Sequence, residues 1–372
     1  MKTPIYLDYN ATCPIRPAVI DAVASTMREV GNPSSVHAAG RNARAAVEKA
    51  RVQVAALVNS RPRDVVFCGG GTEANNTVLR GAGAASLIIS AIEHESTQAA
   101  AEQAGMPVFT IPVNAHGVIL LDELESLLAE APKPALVSVM LVNNETGVIQ
   151  PVADAAKLAH EAGGRIHTDA VQGAGKLTLD RQALDVDYMT LSAHKIGGPQ
   201  GVGAIVLAPT APLKAMLVGG GQELSRRSGT ENVAGIAGFG VAAIEAMGGL
   251  ASIQHIAAMR TRLEAGIIAH ANDVVIVGAG ADRNANTSCI AMPGVKGETQ
   301  VMHFDLAGIC VSSGSACSSG KVKVSHVLNA MGYEDAIAES SIRVSLGYGT
   351  QDADIDAFLT AWQAIYNRTR GR

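Results

Sequence analysis

The chain has 372 residues, 48% of them hydrophobic and 17% charged, with a net charge of −5. That length and apolar share support a folded chain with a large core and more than one domain, and exclude an intrinsically disordered one. The mild negative charge offers no basic footprint for phosphates, so nucleic acid is not an expected partner.

The N-terminus, MKTPIYLD, has no apolar signal region. An Ala-rich helical stretch is predicted over about 37–58. Short apolar runs at 65–68, 87–90, 108–111, 136–141, 165–168, 187–191 and 202–207 read as strands. Helical patterns lie between several of them, at 73–80, 96–104, 122–129 and 153–161. Strands apolar on both faces and separated by helices predict an α/β fold, with a mostly parallel sheet covered on both sides. Beyond residue 230 the pattern changes to a long helical region at 232–270, with a break at Gly248–Gly249. Strands at 274–277, 288–292 and 341–346 and helices at 298–306 and 353–366 then predict a smaller α+β domain. No apolar run is read as long enough to span a bilayer, the stretch 267–277 being broken by His270, Asn272 and Asp273.

Several of these elements end on residues that carry chemistry. C-G-G-G-T-E-A-N-N at 68–76 reads as strand, glycine turn and helix start, with Thr72 as the N-cap. Such a turn presents backbone N–H groups to a phosphate, or is an ordinary βα turn. His94 follows a strand and can stack on a flat cofactor, or be structural. Asn144, in V-N-N-E-T-G, can hydrogen-bond a substrate carboxylate or a cofactor, or shape a turn. Asp169 ends the run I-H-T-D, with Gln172 three residues on, and a carboxylate there suits a pyridinium nitrogen. Lys195, in S-A-H-K-I-G-G-P, follows a strand with Ser192 and His194 beside it, where a lysine can reach a cleft and form a Schiff base. The glycine-rich run 219–232 leads to a helix expected from about Glu231, which puts Thr230 near a phosphate or on a surface loop.

Of five cysteines, Cys13, Cys68, Cys289, Cys310 and Cys317, none forms a C-x-x-C pair. A disulfide framework or metal site is not expected, and a reducing, cytoplasmic setting is. Cys310, in G-I-C-V, reads as a buried structural cysteine. Cys317 instead lies in V-S-S-G-S-A-C-S-S-G-K-V-K, a predicted loop of small polar residues with Lys321 and Lys323 nearby, and reads as a nucleophile. Arg343, inside an apolar strand, needs a partner: a substrate carboxylate or a structural salt bridge. A phosphate turn, a stacking histidine, a pyridinium aspartate, a Schiff-base lysine and a carboxylate-binding arginine together describe a pyridoxal phosphate site. The added cysteine points to sulfur chemistry.

On these residues, and on L-D-Y-N-A-T at 7–12, G-N-P-S-S-V-H at 31–37, R-R-S-G-T-E-N at 226–232, S-S-G-S-A-C-S-S-G at 312–320 and S-I-R-V-S-L-G at 341–347, the sequence resembles the cysteine desulfurases of the NifS/IscS type. These are fold-type I pyridoxal 5'-phosphate enzymes of aminotransferase class V. The resemblance implies a large cofactor-binding domain over 12–248, and a small domain from 1–11 and 249–372 that carries the Cys317 loop, about 312–323. It implies that Lys195 carries the cofactor, His94 stacks on its ring, Asp169 pairs with the ring nitrogen and Gln172 meets the ring hydroxyl. Gly71, Thr72, Ser192 and His194 would hold the phosphate, with Thr230 reaching it from the other subunit of a homodimer. Asn144 and Arg343 would hold the carboxylate of L-cysteine, and Cys317 would take its sulfur as a persulfide, releasing alanine. The sulfur would pass to an acceptor protein such as an iron–sulfur scaffold. Gln200 replaces the lysine usual in the turn after Lys195, with no chemical consequence expected. The end at Arg372, without a longer tail, leans the resemblance toward the NifS branch. Competing expectations are another class V enzyme, which would not need Cys317 for turnover, and a non-catalytic scaffold, which would not need Lys195.

Overall fold

The computed structural model describes residues 4–313 and 324–370. Its strands in chain order are β1 (Ile5–Tyr6), β2 (Val65–Cys68), β3 (Ser86–Ser90), β4 (Val108–Ile111), β5 (Ala135–Ser138), β6 (Arg165–Asp169), β7 (Tyr188–Ser192) and β8 (Gly203–Leu207). They continue with β9 (Val275–Val277), β10 (Thr287–Ala291), β11 (Ile309–Cys310), β12 (Ser312–Ser313) and β13 (Ser341–Ser345). Seven form the central sheet in the order β2-β8-β7-β6-β5-β3-β4. The pairs from β7 through β4 are parallel, whereas β8 runs antiparallel to both β7 and β2. Every residue of β2, β3, β5, β7 and β8 is buried, as a sheet with helices on both faces requires. The edge strand β4 is the half-exposed exception.

A second, antiparallel sheet has the order β12-β13-β10-β9, and β1 pairs with β11. Its apolar side forms a separate core with Leu7, Leu263, Ile290, Phe304, Phe358 and Trp362. The polar residues 8–12 therefore run between the two cores.

The long helical region is two helices, Val233–Gly249 and Ile253–His270, joined by a 3-10 turn at Leu250–Ser252. By length and composition this stretch would qualify as a membrane span, which corrects the expectation that no such run exists. Its apolarity has a packing cause. Ile236, Phe239, Ala242, Ala243 and Ala246 are buried in the main core, where the helix meets Pro17–Arg28 and Ala38–Leu57.

Boundaries differ from the sequence reading where pairing decides them. The run read as a strand to 141 stops its ladder at Ser138. The helix Pro17–Arg28 and the two-residue strands β1, β11 and β12 were not expected. Only Val19 of that helix is fully buried, and a pair of residues has no periodicity to read. Cys310, expected to be buried, is partly exposed on β11.

Candidate active site

Four of the parallel strands, β3, β5, β6 and β7, lead at their carboxyl ends to His94, Asn144, Asp169 and Lys195. In open α/β sheets that carboxyl edge is where ligands bind. There a cavity of ≈ 240 Å³ is lined by Gly71, Thr72, His94, Asn144, Asp169, Gln172, Ser192, His194, Lys195 and Arg343. Ten residues spread over 272 positions of sequence are thus brought to one place. Thr230 is not among them; it lines a separate cavity with Cys68, Gly69 and Arg227. Cys317 lies outside the described residues.

Lys195 ends the 3-10 turn Ala193–Lys195 after β7, and its Nζ donates to the carbonyls of Asn10 (2.6 Å) and Ala11 (2.9 Å). Asp169, at the end of β6, accepts from the Val171 amide (2.9 Å) and from Asn75 Nδ2 (2.7 Å). Asn75 in turn accepts from Thr190 Oγ1 at 2.7 Å. Buried amide and hydroxyl donors thus aim the Asp169 carboxylate.

His94 caps the helix Glu95–Glu102, with Nδ1 accepting from the Ser96 amide at 3.1 Å. An amide can only donate, so in the neutral ring Nε2 carries the hydrogen. Burial pushes the His94 pKa down, which favours that neutral form. Beside it Glu93 is fully buried, and burial together with Asp169 raises its pKa well above the carboxylate range. His194, bonded through Nδ1 to Thr12 Oγ1 (3.1 Å), is lowered to about 4 by burial and by Lys195.

The phosphate end is built from backbone. The helix Gly71–Gly81 begins after Gly70, whose φ of 145° suits glycine, so Gly70 rather than Thr72 is the N-cap. The first amides of that helix have no intrahelical acceptor and carry the positive end of its dipole. Gly203 on β8 allows the turn to lie on the sheet, since a Cβ there would stand 2.7 Å from Gly70 Cα. The next expected helix start is also shifted: Asn232 caps Val233–Gly249 by accepting from the Gly235 amide at 3.0 Å.

At the other wall Arg343 combines both alternatives left open by the sequence. Its Nη2 pairs with Asp8 (2.9 Å) and its Nη1 donates to the Asn144 carbonyl (3.1 Å). Its buried Nε has no partner among the described residues, and the residue lines the cavity, where a guanidinium can meet a carboxylate. Gln172 is in the cavity wall, but its amide is engaged by the Asn10 carbonyl (2.9 Å) and by Lys176 Nζ (2.6 Å).

Sequence reasoning missed Asn10, Ala11, Asn75, Ser96, Met140 and Val171, which complete the lining. A buried asparagine on the core face of the helix Gly71–Gly81 was the available signal for Asn75. Asn10 lies in the motif L-D-Y-N-A-T, but nothing local gave it a role in the site.

These residues fit pyridoxal phosphate. A lysine amine, a carboxylate held by donors, a helix N-terminus and an unpartnered guanidinium N–H match an aldehyde, a ring nitrogen, a phosphate and an amino-acid carboxylate in turn.

The aminotransferase class-V family model matches residues 5–358. A cysteine desulfurase of Cereibacter sphaeroides is 40% identical over 377 residues, covering 98% of this chain and 96% of that protein. The X-ray structure of a NifS-like protein from Rickettsia africae ESF-5 superposes with a TM-score of 0.90 at 37% identity, over 98% of this chain and 99% of that one. A structure of SspA in complex with cysteine superposes with a TM-score of 0.78 at 28% identity, over 92% of this chain and 98% of that one. With likeness of sequence and fold running nearly end to end, the chain belongs to the aminotransferase class-V family, among its cysteine desulfurases of the NifS/IscS type.

Proposed function

We propose that the cavity at the sheet's carboxyl edge binds pyridoxal 5'-phosphate and L-cysteine, and that the enzyme removes the sulfur of cysteine to leave alanine. The observation that carries this is the meeting of Lys195, Asp169 and Arg343 in the lining of one cavity. When bound there, the cofactor supplies an electron sink for the substrate's Cα. Lys195 holds the cofactor aldehyde through Nζ, Asp169 meets the ring nitrogen, and the Gly71–Thr72 amides with Ser192 and His194 hold the phosphate. His94 covers the ring and offers an Nε2 hydrogen. Arg343 and Asn144 fix the substrate carboxylate, so the substrate enters in one orientation.

Cys317 is the proposed nucleophile. Its thiolate forms a bond to the substrate sulfur as the substrate C–S bond breaks; the three-carbon remainder gains a proton and leaves as alanine. The sulfur stays as a persulfide for transfer to an acceptor protein in the cytoplasm, such as an iron–sulfur scaffold. The small domain, 1–11 with 249–372, carries this cysteine in the proposed division. The separate core of Leu7 with Ile256, Leu263, Ile290, Phe304 and Trp362 supports that division, while Cys289, Val327 and Leu328 of the same segment pack in the main core.

The working unit is a homodimer in this proposal. Thr230 is apart from its own chain's cavity, and exposed Leu217, Val218 and Leu224 flank the loop before it, as an interface with a second copy would require. Sedimentation should give twice the chain mass, and Val218→Asp should lower it.

The deciding experiment is incubation of the cofactor-loaded protein with L-cysteine. The wild type should release alanine and gain one sulfur on Cys317 by mass spectrometry. Cys317→Ser should keep the cofactor colour, bind cysteine and form no persulfide. Wild-type desulfuration by Cys317→Ser, or sulfur on Cys310 or Cys68 instead, would overturn the mechanism.

A further inference from the structure

A second, half-buried amine stands beside Lys195. Lys176 and Lys195 both line a neighbouring cavity of ≈ 520 Å³. Both reach the same residue: Lys195 Nζ donates to the Asn10 carbonyl at 2.6 Å, and Lys176 Nζ donates to Asn10 Oδ1 at 3.2 Å. Lys176 also donates to Gln172 Oε1 at 2.6 Å, and Gln172 Nε2 returns to the Asn10 carbonyl at 2.9 Å. The arrangement is rigid because Asn10 has no free polar atom. Its amide donates to Ser345 Oγ, its Nδ2 to the Asn144 carbonyl and Thr287 Oγ1, and its Oδ1 also accepts from Asn286.

The partners of Lys176 are two amide oxygens. They satisfy N–H groups but do not cancel a charge. The charged and titratable groups facing it are Lys195, Arg343 and the Cys13 thiol, and Arg343 already pairs with Asp8. We propose that Lys176 is a positioning residue for Lys195: an amine clamped on Asn10 and Gln172 whose positive charge opposes a second positive charge on Lys195 Nζ. A lysine beside another cation is kept as the neutral nucleophile. Burial, with the charge of Lys195 second, lowers Lys176 itself to about 7, so the two amines oppose each other's charge.

This rests on Lys195 being the amine that holds the cofactor, and two measurements separate the readings. The first is a pH titration of the visible absorbance of the cofactor-loaded protein. The second, on cofactor-free protein, follows the pH dependence of Lys195 acylation by peptide mass spectrometry. Lys176→Met and Lys176→Gln should each move both midpoints up by about one pH unit, the scale for removing a like charge at close range. Lys176→Arg, which keeps the charge, should stay near the wild type. Unmoved midpoints in the Met and Gln variants overturn the proposal, as does an equal shift in Lys176→Arg, which would mean packing rather than charge. A wild type that takes up no pyridoxal phosphate sinks the cofactor reading, and the acylation midpoints then still decide the role of Lys176.

Discussion

At the scale of single residues the site is made of polar groups held by other polar groups. Arg343 is the sharpest case, because one guanidinium serves Asp8 and the Asn144 carbonyl and keeps a buried Nε without a partner among the described residues. Arg343→Lys keeps a charge for Asp8 and loses the Nε hydrogen. Cysteine affinity, read from the spectral change on binding, should fall by about 1.5–3 kcal/mol while cofactor content is kept. Arg343→Ala should lose the same affinity and also melt lower, since it leaves Asp8 without its partner. Equal affinity in Arg343→Lys and the wild type would make the arginine structural. Lys195→Ala should bind no coloured cofactor, and a visible band in that variant would mean that another amine does the work.

At the scale of elements, close approach explains two glycines with different consequences. Gly203 on β8 lets the Gly70 turn rest on the sheet, and Gly240 lets Val233–Gly249 press on Ala38–Leu57, where a Cβ would lie 2.7 Å from Ala50 Cα. Gly203→Ala and Gly240→Ala should each cost about 1–3 kcal/mol of stability, the range for overpacking. Only Gly203→Ala should also weaken pyridoxal phosphate binding, because it moves the first amides of Gly71–Gly81. A denaturant midpoint and a cofactor titration on both variants check this, and equal cofactor affinity in the two would refute it.

For the whole molecule, buried titratable groups tie stability to pH. His167 on β6 is fully buried between Ser138 Oγ (2.9 Å) and Thr190 Oγ1 (3.3 Å). Burial lowers it from 6.5 to about 4. Between those values the unfolded chain binds a proton that the folded chain refuses, so this residue removes stability as pH falls from 6.5 to 4. The loss is up to about 3 kcal/mol. Glu93 and Glu145, raised by burial, act in the opposite sense, so the test is a difference. His167→Asn should be the less stable protein at pH 7 and should close the gap as the pH is lowered toward 4, measured by urea midpoints. A gap that stays constant with pH would exclude a buried neutral His167.

The alternation of fully apolar strands with helical patterns was enough to fix the parallel sheet, because strands covered on both faces have no polar side to show. Lys195, Asp169 and His94 were legible for a related reason: each follows an apolar run, and strand ends at one edge of such a sheet must meet. The helix Val233–Gly249 shows the limit of composition, since a core helix and a membrane span share it and only the packing against two other helices tells them apart. Thr72 was misjudged as an N-cap, and the next helix start was placed at Glu231 rather than after Asn232, because caps depend on backbone angles at Gly70 and Asn232 that no residue name specifies. The roles of Asn10 and Lys176 were invisible for a deeper reason. Each is an ordinary residue in sequence, and the partners that give it a role lie up to 335 positions away, joined only when the two cores close around residues 8–12. The sequence by itself determined the elements and the chemical groups, because these follow from local pattern and residue type; the tertiary structure decided which group restrains which, because that depends on distances between segments the chain order does not contain.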